Sequence, residues 1–199
     1  MSYSEPSTDT ILGVRMYETE RLLLKVATPD DVAAIVSYLI RNRDFLMETE
    51  PPRDDRYYSF EYQAGEILHE RKMMENGQLL KLWIVKKENP TQMIGTVSFN
   101  TIIRGPFQSC FLGYRLDYAE VRRGYMTEAL REAIRVLFGE CRLHRVEANI
   151  LPGNGPSLRV VEKLGFHYEG LALRYLLVNG KWEDHIRMVL LNDRWAGDR

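Results

Sequence analysis

Apolar positions along the chain change period several times, and each change marks an element. "RLLLKV" (Arg21–Val26) reads as a strand stopped by "TPDD". There Thr28 suits a helix cap, Pro29 its first position, and Asp30 and Asp31 its positive end. Val32, Ile35, Val36, Leu39 and Ile40 then recur at helical spacing, predicting an amphipathic helix over 29–41. "METEPPRDD" is a loop, because Pro51 and Pro52 cannot continue a helix, and a second helix is predicted from Ser59 to Glu75 before the Asn76-Gly77 stop. "LLKLWIVKK", "QMIGTVSFNTII" and "FQSCFLGYRL" are strand-like, with Asn89-Pro90 and Gly105-Pro106 as turn residues, and form an antiparallel meander. Met126, Ala129, Leu130, Ala133, Ile134, Leu137 and Phe138 return to helical spacing. "HRVEANIL" is a strand, "PSLRVVEKL" a short helix stopped by Gly165, and "LALRYLLV-NG-KWEDHIRMVLL" a hairpin turning on Asn179-Gly180. The order β-α-α-β-β-β-α-β-α-β-β predicts a mixed α/β (α+β) domain.

Composition narrows the class without naming a chemistry. At 199 residues one domain is favoured, with residues 1–16 a polar lead-in and 17–195 the folded unit. The net charge of -1 removes the bulk electrostatic case for binding nucleic acid, and no partner of that kind is expected. Two cysteines, Cys110 and Cys141, cannot build a four-ligand zinc site or a disulfide framework, and Cys110 reads as a core residue. No basic stretch followed by an apolar run opens the chain, and Val32–Ile40 is far too short to span a bilayer, so a cytoplasmic, non-membrane protein is expected.

Several chemistries lack their residues. "HERK" at His69 begins like a zinc-protease helix, but Met73 stands where the second histidine is needed, so His69 reads as a solvated helix residue and no metal is expected. The chain holds no G-x-x-x-x-G-K-[ST] phosphate loop, no G-x-S-x-G elbow, and no G-x-G-x-x-G after its first strand. What remains is a reaction needing neither metal nor an obvious nucleophile.

One segment has an affinity for anions written into it. In "GYRLDYAEVRRGYMTEALREAI" a strand ends near Leu116, Arg122, Arg123 and Gly124 follow in a short loop free of carboxylates, and a helix starts at Tyr125. A helix start offers unpaired N–H groups and the positive end of the dipole to a phosphate. Gly124 lets a ligand come close to backbone, and the arginines add charge. A helix start with two solvated arginines is the plainer alternative.

"VRRGYMTEAL" resembles the acetyl-coenzyme A pyrophosphate loop of the GNAT N-acetyltransferases, Gln/Arg-x-x-Gly-x-Gly/Ala, with Val121 and Met126 departing from the pattern. "NGPSLRVVEKLGFHYEG" (Asn154–Gly170) resembles the second coenzyme-binding segment of that family, in the same order. "IIRGPFQSCFLGYRL", "YLLVNGKWEDH" and the "EP-x-RD" stretch at Glu50–Asp54 are similar to the bacterial ribosomal-protein N-terminal-alanine acetyltransferases. The resemblance implies a mostly antiparallel sheet flanked by about four helices, with a splayed strand pair holding acetyl-CoA.

It also implies direct attack of an amine on the thioester, in a gap between the strands ending near Leu116 and Ile150. Backbone at Tyr114, Arg115 and Leu116 would line the pantetheine, and amides from Arg122 and Arg123 through Gly124, Tyr125 and Met126 to Thr127 would hold the pyrophosphate. Asn154 would bond the pantetheine arm, or is a plain turn residue. Val161 stands where many relatives carry a catalytic tyrosine. Ser157 has two open roles, bonding or protonating the sulfur and N-capping the helix. Glu50 is the first candidate base, with Glu147, His185 or a water relay as alternatives.

The acceptor implied is a protein N-terminus, such as alanine on a ribosomal protein. A small amine (a polyamine or an aminoglycoside) and a non-catalytic coenzyme-binding regulator are the other readings. A monomer or homodimer is expected.

Overall fold

Strand β3 (Leu80–Lys86) shows how the layers are set. Leu82 and Ile84 enter one apolar cluster, Trp83 and Val85 the other, because successive side chains of a strand point to opposite faces. The computed structural model describes residues 16–47 and 53–195. Its sheet has eight strands in the order β1-β2-β3-β4-β5-β6-β8-β7. The others are β1 (Met16–Glu18), β2 (Leu22–Lys25), β4 (Asn89–Ile103), β5 (Ser109–Leu116), β6 (Arg145–Ile150), β7 (His167–Val178) and β8 (Lys181–Leu191). Every neighbouring pair is antiparallel except β5 with β6.

Five α-helices accompany it: α1 (Val32–Arg41), α2 (Arg43–Met47), α3 (Phe60–Glu75), α4 (Tyr125–Gly139) and α5 (Gly155–Lys163). Residues of α4 and α5 pack in the cluster that holds Leu82, Val97, Leu112 and Val146. On the other face Ile35, Tyr38 and Leu39 of α1 and Ile67 of α3 meet Trp83, Val85 and Met93. This is the mixed α/β architecture that the periodicities predict and the mostly antiparallel sheet that the resemblance implies, with the short α2 as an extra helix.

Local chemistry accounts for most boundaries. Asp31 accepts from the Thr28 amide at 2.9 Å and its hydroxyl at 3.2 Å, closing the entry to α1 through a short 3-10 turn. Ser59 caps α3 by accepting from the Tyr62 amide at 3.2 Å. Gly165 ends α5 at φ +87°, and Asn179-Gly180 turns the hairpin with both φ positive. Asn89-Pro90 is a correction: it lies inside β4, at the start of the strand, where a missing N–H is tolerated.

The parallel contact is short. Only Ser109↔Arg145, Cys110↔Val146 and Phe111↔Glu147 pair, while β5 stays with β4 out to Leu116 and β6 stays with β8 out to Ile150. Gly95 helps hold β5 on the β4 side, since a Cβ there would lie 2.5 Å from the Arg115 carbonyl oxygen. The sheet therefore opens between Leu112–Leu116 and Ala148–Ile150.

Candidate active site

The loop beyond β5 is held from several directions. Asp117, 1% exposed, accepts from Arg41 Nε at 2.7 Å and from the Ala119 amide at 3.0 Å. The neighbouring Asn42, fully buried at the end of α1, accepts from the Tyr118 amide at 2.9 Å. Glu120 lies 2.9 Å from Lys86 Nζ, and Arg123 reaches the same carboxylate at 3.4 Å. Arg122 then takes φ +62° and Gly124 φ +82°, which turn the chain into α4. No side chain caps that helix, so its first amides lack an intrahelical acceptor.

Arg21 covers this corner. Its Nε donates to Glu128 at 2.7 Å, Nη1 donates to the Arg123 carbonyl at 3.1 Å, and the guanidinium lies 4.5 Å from the centre of the Tyr125 ring. Thr19 adds a 2.6 Å hydrogen bond to Glu128. Burial alone would raise the Glu128 carboxyl, but the donors Thr19 and Arg21 outweigh it and hold it below the usual carboxylate range. The expectation of a loop free of carboxylates is corrected: Glu120 within it reaches Arg123, and Glu128 in the first turn of α4 pairs with Arg21 beside it. Among the described residues no carboxylate pairs with Arg122, which is exposed. Met126 turns its side chain into the core at 6% exposure, leaving only its backbone at the helix start.

The opening between β5 and β6 is bridged at one point. The Tyr114 hydroxyl lies 2.5 Å from Ser157 Oγ and 3.0 Å from the Ser157 carbonyl oxygen. Asn154 caps α5, its Oδ1 accepting from the Ser157 amide at 3.1 Å. Capping by Ser157 is thus corrected: the helix begins at Gly155, the cap is Asn154, and Ser157 sits in the first turn with its hydroxyl on Tyr114. Burial pushes the Tyr114 phenol up to about 12, the hydrogen bond with Ser157 opposing it in part. Val161, where a tyrosine was sought, is fully buried in the core.

Arg115 points to the opposite face of the sheet and donates through Nε to Thr96 Oγ1 at 3.3 Å. It lines a small cavity there with Arg43, Arg53, Tyr57 and Tyr58. Arg43 and Arg53 lie over the rings of Tyr58 and Tyr57, at 4.6 and 4.8 Å. Glu147 shares this face but is already engaged, accepting from Arg145 at 3.0 Å and Asn149 at 3.1 Å, with Arg187 Nε 3.1 Å away. His185, 4% exposed, places Nδ1 3.0 Å from the Glu183 carbonyl oxygen. That pairing requires hydrogen on Nδ1 and leaves a lone pair on Nε2. Glu50 lies outside the described residues. Burial raises the Cys110 thiol to about 12 and that of Cys141 to about 11, so neither is a ready nucleophile.

Sequence reasoning missed Thr19, Arg21, Arg41, Asn42, Asp117 and Glu128 as the supports of the loop. Their partners are 107 residues apart for Arg21–Glu128 and 76 for Arg41–Asp117, and no local spacing records such pairs.

A mixed sheet parted between two parallel strands, with an uncapped helix start beyond one and a capped helix beyond the other, is the architecture of a coenzyme A-dependent acyltransferase. Residues 21–167 match the acetyltransferase (GNAT) domain, and the chain belongs to that family. It is a GNAT-type N-acetyltransferase. It is 42% identical over 151 residues to the probable N-acetyltransferase YjcK of Bacillus subtilis, covering 76% of this chain and 83% of that protein. It is 33% identical over 184 residues to the ribosomal protein uS5-alanine N-acetyltransferase of Escherichia coli, covering 91% of this chain and 93% of that one. Among solved structures, the ribosomal-protein-S5-alanine acetyltransferase from Vibrio fischeri superposes with a TM-score of 0.87 at 33% identity, over 92% of this chain and 100% of that chain. Mycobacterium smegmatis RimJ, in complex with CoA-disulfide, gives 0.81 at 25% identity, over 89% of this chain and 85% of that chain.

Proposed function

We propose that this chain moves the acetyl group of acetyl-CoA to the N-terminal α-amine of a protein, with a ribosomal protein beginning in alanine as the acceptor. The observation that carries the reading is the near end-to-end match to the uS5-alanine enzyme, 93% of its length. The cavity on the acceptor face adds to it. Arg43, Arg53 and Arg115 line it, Arg43 also pairing with Asp55. Guanidinium groups offer hydrogen bonds to the carbonyls of a peptide.

In this reading residues 17–195 act as one catalytic domain in the cytoplasm. The backbone of Tyr114, Arg115 and Leu116 lines the pantetheine and polarises the thioester carbonyl. The amides from Arg122 to Thr127, with the side chains of Arg122 and Arg123, hold the pyrophosphate. The Nδ2 of Asn154 serves the pantetheine arm while its Oδ1 caps α5.

Ser157 donates a hydrogen bond to the departing sulfur. A cysteine-like thiol ordinarily titrates near 8.5, and burial holds the Tyr114 phenol well above that, so full proton transfer from this hydroxyl pair to the thiolate is uphill. Stabilising the charge by hydrogen bonding is the favourable role, worth about 1.5–3 kcal/mol for a charged acceptor. The amine asks for little. An α-amino group titrates near 7.7–8.0, so roughly a tenth is neutral at pH 7, against well under a thousandth of lysine side chains. Glu50 takes the released proton through water in this scheme. A second reading gives that task to His185, favoured by the lone pair that its contact with Glu183 leaves on Nε2.

The test is incubation with acetyl-CoA and a mixture of N-terminal peptides, lysine peptides and small amines, read by mass spectrometry. Acetylation of α-amines, alanine foremost, is expected. Product only on polyamines, aminoglycosides or lysine side chains overturns the acceptor assignment.

A further inference from the structure

Tyr114 of β5 reaches across the opened sheet to hydrogen-bond Ser157 of α5. It stands beyond Phe111, the last residue of β5 paired with β6. Its hydroxyl carries a single hydrogen and faces two oxygens of Ser157, Oγ at 2.5 Å and the carbonyl at 3.0 Å. The carbonyl already has the amide of Val161, four residues on, as its helical donor. The carbonyl keeps one further lone pair, but Oγ is the nearer oxygen and has no other donor among the described residues. Which way this bond runs decides what Ser157 offers. A serine that donates to the phenol has no hydrogen left for a ligand, whereas a serine that accepts from it keeps its own hydrogen free.

We propose that Tyr114 is a positioning residue: its phenol donates to Ser157 Oγ, turning the serine hydrogen toward the opening between β5 and β6, where the coenzyme sulfur is stabilised as thiolate. The inference rests on the role given to Ser157 above. Two further observations support it. Burial keeps the phenol protonated throughout the working range, so it remains a donor. Asn154 Oδ1 holds the Ser157 amide, which fixes the backbone from which Oγ projects. Hydrogen bonds in a chain polarise one another, and a serine that accepts from a phenol is the stronger donor for it. No bond is made or broken at Tyr114; it shapes the donor and keeps its proton.

The probe is free CoA, which needs no knowledge of the acceptor. Its bound thiol is titrated by thiolate absorbance, with the same titration of coenzyme-free protein subtracted. In Tyr114→Phe the ring packing is kept and only the hydroxyl goes, and the readout is the thiol pKa of the complex at saturating CoA. The bound thiol should titrate about one unit higher, because a hydrogen bond to the charged form is weakened. Ser157→Ala should raise it at least as far, and the double variant should match Ser157→Ala alone. An unmoved thiol in Tyr114→Phe, or additive shifts in the double variant, overturns the inference. An unmoved thiol in Ser157→Ala with CoA still bound overturns the role of Ser157 instead, and failure to bind CoA overturns both.

Discussion

The two faces of the opened sheet are built on different plans. On the side of α4 and α5, the groups proposed to face the coenzyme are backbone amides and first-turn residues, and their supports are ion pairs on buried or half-buried carboxylates: Asp117 on Arg41, Glu120 on Lys86, Glu128 on Arg21. On the side of α1 and α3, the groups near the opening are exposed or half-buried side chains, with Arg43 paired to an exposed Asp55 and Arg53 lying on a tyrosine. A coenzyme that is the same for every member of a family suits fixed backbone geometry. Acceptors differ, and side chains on short helices can change without disturbing the core. The contrast teaches where to expect shared chemistry and where to expect individuality.

The comparison breaks first at Gly124. Replacing it with glutamate puts a side chain on a φ of +82° and a negative charge at the amides, and coenzyme affinity should fall by more than about a hundredfold. Calorimetry giving unchanged affinity would remove the loop from the site. Next is Asp117→Ala, which strands Arg41 without its buried partner; a loss of about 3 kcal/mol in chemical denaturation is expected. The exposed pair on the other face sets the contrast, since Asp55→Ala should cost less than about 1 kcal/mol.

Ser157→Ala should lower kcat about ten- to a hundredfold with the KM for acetyl-CoA held within about twofold, the size of a hydrogen bond to a charged atom. Asn154→Ala should instead cost about 1 kcal/mol of stability, as loss of the actual helix cap. A variant of Ser157 with full turnover and a lower melting temperature would reverse these two roles.

The smallest effect sharpens the pH behaviour of the coenzyme side. Glu128 sits below the usual carboxylate range in the folded chain, so its contribution is present above the unfolded value near 4.3 and is lost as pH falls through the lower, folded value. Glu128→Gln should therefore be less stable than the parent by about 1 kcal/mol at pH 7. In acid denaturation scans the two should converge below about pH 4. A gap that widens in acid would contradict the assignment.

Regular elements and local stops were legible because they depend on near neighbours. The spacing of Val32, Ile35, Val36 and Leu39, and the Asn179-Gly180 turn, each state their own geometry. The parting of β5 from β6 was legible only through the family resemblance, since nothing in "LGYRL" or "EANIL" says that two strands separate. β1, of which only Met16 falls in the expected lead-in, went unpredicted because three residues carry no period, and α2, between the predicted helix 29–41 and the proline-rich loop, is too short to show one. Ser157 was open as a cap because Pro156 obscured where the helix starts; Asn154, a turn residue by its neighbours, holds that position. The strand β7 begins at His167 rather than near Leu171, since "FHYEG" lacks alternation in apolarity. Supports such as Arg41–Asp117 exist only once the chain has folded.

The brevity of the β5–β6 contact bears on the mechanics of the whole molecule. Three rungs join a five-stranded leaf to a three-stranded one, so the sheet is weakest along the seam where the proposed coenzyme lies. A pantetheine bonded to both margins would supply the rungs that the chain omits, working as a removable strand. Ligand occupancy would then be read as stiffness. At a hundredfold excess over Kd the coenzyme should add about 2.7 kcal/mol to the folded state, and hydrogen exchange should slow along Leu112–Leu116 and Ala148–Ile150 before anywhere else.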